Sequence, residues 1–254
     1  MPKASEYKPE TRIFALFIGR SGDGKSTAAA SFPRPVMDLD FDNRFAGIAG
    51  AITQGIYTAD NVDYQMFNPR GGYEPVEALF TQWEVARMQG QFPYKTIIVD
   101  SLTSLARLLV IASHKLQKGK MIGKLRVSGP GDFNFEASGV HQIFDFLRVL
   151  PCHVICSAHV IDKYGKLDKT QEYSETGIVG EKLSVRDNLG ENVQTYFDNV
   201  FRFSREVVNG QVKYYANFAT DLAKNSFGIP PGEHDITGKN FYNYLQELTT
   251  KKGS

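Results

Sequence analysis

The sequence predicts a single α/β domain built on a mostly parallel central sheet, and three observations carry that prediction. Short apolar runs at residues 13–18, 36–40, 96–100 and 153–160 have the character of strands buried on both faces. Segments of helical spacing alternate with them, as crossover connections between parallel strands require. A glycine-rich turn follows the first run directly and leads into small, helix-compatible residues at 26–31. The chain of 254 residues is 42% hydrophobic and 22% charged. Those proportions exclude a disordered chain, a collagen-like repeat and a disulfide-rich miniprotein.

Taken in order, Ile13-Phe14-Ala15-Leu16-Phe17-Ile18 is the first strand, and Pro35 precedes the second. Residues 61–73, rich in Asn, Gly and Pro, read as a loop. Residues 75–88 read as a helix, because Val76, Leu79, Phe80, Trp83 and Ala86 recur at helical spacing. The strand Thr96-Ile97-Ile98-Val99-Asp100 is followed by an apolar helix over 101–116. Residues 138–150 form another helix, with Val140, Ile143, Phe144 and Leu147 on one face, stopped by Pro151. The pattern changes near residue 197. Strands at 200–208 and 211–218 flank Asn209-Gly210, a strong signal for a two-residue hairpin turn. A closing helix is expected over 238–249.

This order divides the chain into a polar segment at 1–12, a core at 13–249 and a solvated tail at 250–254. The charge is 29 basic against 28 acidic residues, so no global field attracts nucleic acid and any such binding needs a local patch. Cys152 and Cys156 lie in one apolar run with no further cysteine, which fits neither a zinc site nor a disulfide framework. A reducing cytoplasm is expected. The absence of an apolar run of 18 residues argues against a membrane span, and the polar start lacks a signal-peptide core.

Gly19-Arg20-Ser21-Gly22-Asp23-Gly24-Lys25-Ser26 matches the phosphate-binding pattern G-x-x-x-x-G-K-[ST], with Thr27 next in line. It also lies between a buried strand and a helix, the context the motif requires. Its glycines let the backbone fold tightly, so that successive N–H groups converge on phosphate oxygens. Lys25 is expected to bridge the β- and γ-phosphates, and the Ser26 hydroxyl to ligate Mg²⁺. A second strand must end in a carboxylate that supports the metal. Ile97-Ile98-Val99-Asp100 supplies it, with Ser101 directly after. Asp38, Asp40 and Asp42 alternate with Met37, Leu39 and Phe41, so period two points all three acids the same way while the strand lasts. One of the three is expected to orient an attacking water.

Together these pieces resemble the RecA-like ATPase core, the fold of strand-exchange recombinases and hexameric helicases. The match runs over roughly residues 11–231, without extra terminal domains, and is most similar to short RecA-core ATPases of bacteriophages grouped with recombination and single-strand annealing proteins. The resemblance implies ATP and Mg²⁺ as cofactors and hydrolysis of the β–γ bond. It places the catalytic acid at Asp40, where the family usually has Glu, and the γ-phosphate sensor at His159, where the family commonly has Gln. Ala223-Lys224-Asn225 resembles the lysine-bearing strand that reaches a neighbouring subunit's nucleotide. A homo-oligomer, filament or ring, with ATP between subunits is therefore implied, in the cytoplasm of a host cell if the chain is phage-encoded.

The resemblance also implies single-stranded DNA as partner, held by two loops, with a single-strand-binding protein as a further possible partner. The first loop corresponds to residues 113–131, which carry His114, Lys115, Lys118, Lys120, Lys124 and Arg126 and no acid. Cations paired to phosphates release counterions and make binding salt-dependent, and Phe133 and Phe135 just beyond are candidates for stacking on bases. The second, residues 162–191, is long and of mixed charge, with Tyr164 and Tyr173 as candidate stacking residues. Two other readings compete: a nucleotide-dependent switch that recruits a protein and ignores DNA, and a helicase or packaging motor. A small-molecule kinase ranks lower, for want of an acceptor-binding lid.

Overall fold

The computed structural model describes residues 12–43, 46–53, 55, 58–116, 118–122, 125–166 and 176–250. The elements run β1 (Phe14–Gly19), α1 (Lys25–Ala29), β2 (Val36–Asp40), α2 (Ala46–Thr53), β3 (Val62–Met66), α3 (Glu74–Met88), β4 (Thr96–Asp100) and α4 (Leu102–Leu116). They continue with β5 (Met121–Ile122), β6 (Leu125–Arg126), α5 (Pro130–Arg148), β7 (His153–Lys166), β8 (Thr176–Leu183) and α6 (Asp187–Val193). Last come β9 (Asn199–Val208), β10 (Gln211–Asn217), β11 (Glu233–Asp235) and α7 (Phe241–Thr250).

The main sheet has the order β11-β10-β9-β1-β7-β4-β2-β3, with β8 paired to the far end of β7. From β9 to β3 every pairing is parallel, and β8, β10 and β11 add antiparallel ribbons. The α/β class with a mostly parallel sheet is what the alternation of apolar runs predicts. β1 shows why: all six of its residues are buried, and successive side chains leave on opposite faces. Phe14, Leu16 and Ile18 enter a core shared with α3, α4 and α5, which includes Phe80, Trp83, Leu105, Leu109 and Phe144. Ala15 and Phe17 enter a second core with α1, α2 and α7, where Phe17 packs among Phe32, Phe201, Phe203 and Phe241. Each such fully buried phenylalanine contributes roughly 1.5–3 kcal/mol by removal from water.

Several elements depart from the sequence expectation. The loop expected at 61–73 contains β3, an edge strand with no fully buried residue, which gives a weak apolar signal. The helix expected from 138 begins at Pro130. Gly129, Pro130 and Gly131 read as a breaker, but the Asp132 carboxylate accepts from the Gly129 N–H at 2.8 Å and caps the helix start. The polar second loop is in part a hairpin, β7 continuing six residues past Val160 to pair with β8, and then α6. The hairpin at Asn209-Gly210 is as expected, with both residues at positive φ (53° and 77°).

Candidate active site

The C-terminal ends of β1, β2, β4 and β7 meet at one edge of the sheet, and the glycine-rich loop caps it. Gly19 is required by close approach, because a Cβ there would lie 2.8 Å from the Phe203 carbonyl oxygen. Gly22 and Gly24 have φ of 83° and 87°, in the left-handed region that favours glycine. Asp23 is buried, and its Oδ2 accepts from the Arg20 N–H at 2.6 Å, which closes the loop on itself. Lys25 is buried too and donates from Nζ to the carbonyls of Gly19 (3.0 Å) and Arg20 (2.8 Å). Burial pushes its pKa below the usual lysine value, against the opposing pull of Asp100 and Asp23.

Ser26 Oγ donates to Asp100 Oδ2 at 2.8 Å, across 74 positions of sequence. Ser157, on β7, donates to the other oxygen, Oδ1, at 2.5 Å. The two residues expected at the metal are therefore together, and Ser157 is a contributor the motif reading did not find. Ser26 and Asp100 form an oxygen-only donor set suited to Mg²⁺, which takes one or two protein ligands and completes its shell from water and phosphate. Among the described residues no cluster of three His, Cys, Asp or Glu side chains is arranged to hold a metal, so these two oxygens would need a nucleotide's phosphates beside them.

The three acids of the second strand separate. Asp38 is almost fully buried, one carboxylate oxygen lacks a hydrogen-bond partner, and burial, with repulsion from Asp100 and Asp40, pushes its pKa well up. Asp40 is 2% exposed and lies opposite Asp100 in the β2–β4 register. Asp42, past the strand end, is only partly buried; it accepts from Ser101 Oγ at 3.0 Å, and His159 Nε2 is 3.6 Å from its Oδ2. Its pKa is held down to about 2, by His159 first and then by Ser104 and Ser101. His159 is level with Gly19 in the β1–β7 register and faces Asp42, but it does not end its strand, since β7 runs on to Lys166.

The rim of the loop is tied to the β7–β8 ribbon by charges. Arg20 pairs with Asp162 and lies 3.7 Å from Glu181. Arg202, on β9, pairs with Glu181 at 2.7 Å and approaches Asp23 at 3.5 Å. Sequence reasoning missed this network, since its members come from four elements whose adjacency only the sheet order reveals.

Lys224 bridges Val200 through its backbone, with N–H···O distances of 3.0 and 2.7 Å. Val200 is level with Leu16, three residues before the loop, and the Lys224 side chain is exposed. Of the expected DNA residues, Lys118 and Lys120 are exposed, and Lys124 lies outside the described residues. Lys115 is 3.8 Å from Glu74. Arg126 needs correction: it turns inward, its side chain 12% exposed, and pairs with Asp132 at 2.9 Å. The acid that captures it lies one residue beyond the stretch that reads as free of acids. The candidate stacking residues are likewise engaged, Phe133 beneath the Arg186 guanidinium at 3.5 Å and Phe135 against the core. Tyr164 is exposed on β7, and Tyr173 lies outside the described residues. A groove of about 610 Å³ opens between α4, α5 and the β8–α6 connection, lined by Arg107, Glu136, Lys182 and Arg186 among others.

None of the curated proteins compared matches the chain. Among solved structures it is similar to a KaiC-like protein of the hyperthermophilic archaeon Pyrococcus horikoshii OT3, at 13% identity and a TM-score of 0.44, over 88% of this chain and 84% of that one. No helix of the described residues is long and apolar enough to cross a membrane. The phosphate loop and its partner carboxylate fall inside residues 11–227, the stretch matched by the model of the AAA domain, and the chain belongs to that AAA domain family.

Proposed function

We propose that this P-loop ATPase core hydrolyses ATP with Mg²⁺ and is driven by single-stranded DNA, in recombination or strand annealing of the kind phage-encoded RecA-like proteins carry out. The observation that supports the catalytic part best is the 2.8 Å contact between Ser26 and Asp100. When bound, Mg²⁺ would be held by Ser26 with Asp100 behind it and would neutralise phosphate charge. Lys25 already presents its ammonium to two loop carbonyls, and phosphate oxygens are stronger acceptors for it. Among the three candidate acids, Asp42 is favoured to orient water. It is an ionised carboxylate at the open edge, where Asp40 is buried.

For DNA, the support is the exposed pair Lys118 and Lys120 on the loop before the β5–β6 ribbon. A second reading draws on the same place. Met121 and Ile122 are 54% and 62% exposed at that ribbon, which suits a nucleotide-dependent switch that docks a protein instead of DNA.

Steady-state ATP hydrolysis with and without single-stranded DNA, with Lys25→Ala as the blank, tests the proposal. The expected result is a turnover that rises at least about tenfold with DNA, weakens with salt and vanishes in the blank. Hydrolysis indifferent to DNA, and unchanged in Lys118→Glu/Lys120→Glu, would remove DNA from the function and leave the switch.

A further inference from the structure

The β9–β10 hairpin crosses the phosphate loop of its own chain. Its register sets Arg205 directly opposite Tyr214, and both side chains reach the loop. A Cβ at Gly22 would lie 2.8 Å from Arg205 Nη1 and 3.1 Å from its Cζ, and a Cβ at Gly24 would lie 3.1 Å from Tyr214 Cδ1. Both of these glycines have positive φ. Tyr214 is held from behind, its N–H donating to Thr237 Oγ1 at 2.8 Å and its carbonyl accepting from the Ile236 N–H at 2.9 Å.

The other arginines around the loop are neutralised. Arg20 faces Asp162 and Glu181, and Arg202 faces Glu181 and Asp23. Arg205 has no carboxylate partner among the described residues. Its guanidinium lies against Gly22 of the phosphate loop. With no carboxylate beside it, that guanidinium would gain from an anion on the loop. A guanidinium offers paired donors in a fixed fork that matches phosphate oxygens.

We propose that Arg205 contacts the phosphates of a nucleotide bound to the P-loop of the same chain, with Tyr214 as the residue that positions it. The inference rests on the nucleotide-binding reading above. It gives the site an arginine in cis, distinct from any cation that a neighbouring subunit brings. Arg205 donates to the phosphates from above the loop while Lys25 donates from within it.

Binding isotherms for ATP and ADP test it in the wild type, Arg205→Ala, Arg205→Lys, Tyr214→Ala and Lys25→Ala, with the melting temperature of each free protein recorded. Losing charge-assisted hydrogen bonds should weaken ATP binding in Arg205→Ala by about tenfold to a hundredfold at unchanged melting temperature. Arg205→Lys should recover part of the loss, since it restores the charge without the fork, and Tyr214→Ala should fall towards Arg205→Ala. Wild-type ATP affinity in Arg205→Ala, with binding still abolished by Lys25→Ala, overturns the role of Arg205 alone. The absence of any Lys25-dependent ATP binding in the wild type overturns the nucleotide reading, and Arg205 with it.

Discussion

The imidazole of His153 is packed between Phe32 and Tyr242, and its Nδ1 accepts from the Ile13 N–H at 3.0 Å. That bond requires an unprotonated Nδ1, and burial, reinforced by the Arg12 charge, pulls the pKa down to about 4. Below its ordinary value near 6.5 the unfolded chain takes up a proton that the folded chain refuses. Stability is therefore lost as pH falls from about 6.5 towards 4. The loss amounts to about 2–3 kcal/mol after discount for the partial exposure of the ring. Urea unfolding at pH 7 and pH 5 should show most of it in the wild type. His153→Gln, which keeps an acceptor for Ile13, should have a flatter profile, and equal slopes in the two proteins would refute the assignment. Such a residue is illegible in sequence: nothing local distinguishes His153 from His159, six positions on. Lys25, Ser26 and Asp100 were legible because the motif is local and ends on a strand whose apolar run is plain. The choice among Asp38, Asp40 and Asp42 was not, because it depends on where β2 stops and the chain turns to Ser101 and His159.

At the scale of elements, α5 shows how one carboxylate sets both structure and surface. Asp132 accepts from Ser113 Oγ (2.6 Å), the Gly129 N–H (2.8 Å) and Arg126 (2.9 Å), which together hold its pKa down to about 2. It caps the helix, ties it to α4 and withdraws Arg126 from the loop. Arg126→Ala should thus lower the melting temperature while leaving the salt dependence of DNA binding as in the wild type. Lys118→Ala and Lys120→Ala should do the reverse, each reducing the slope of log K against log salt by about one. A reduced slope in Arg126→Ala at unchanged melting temperature would return that residue to the DNA surface. The helix start escaped the sequence reading because a Gly-Pro-Gly run signals a break unless the capping acid is recognised. The β7–β8 ribbon escaped it for a different reason. Past Val160 the strand leaves the core, and without a second packed face its side chains carry no apolar rhythm.

The whole molecule raises the question of where Lys224 acts. Strand alternation gives the class of fold from sequence, but the order of strands is a property of the assembled sheet, and it is the order that places Lys224. Because Val200 pairs with Leu16, the bridge to Lys224 lies three residues short of the loop, roughly 10 Å down the strand. The Lys224 side chain is exposed there, as that of a residue serving a second subunit must be. Arg205 in cis and Lys224 in trans would then divide the positive charge of one site between two chains, so that neither a lone subunit nor a mispaired one is fully active. Turnover by Lys224→Ala should fall about a hundredfold or more while its own nucleotide binding stays near wild type. Mixing it with Lys25→Ala gives the sharper result. Each variant alone is inactive, yet a junction formed by the intact loop of one and the intact lysine of the other is complete. Random assembly at equal amounts makes about a quarter of head-to-tail junctions complete, so the mixture should recover about a quarter of wild-type hydrolysis. A mixture no more active than its components would place Lys224 outside the neighbouring site and leave Arg205 as the cation added to Lys25.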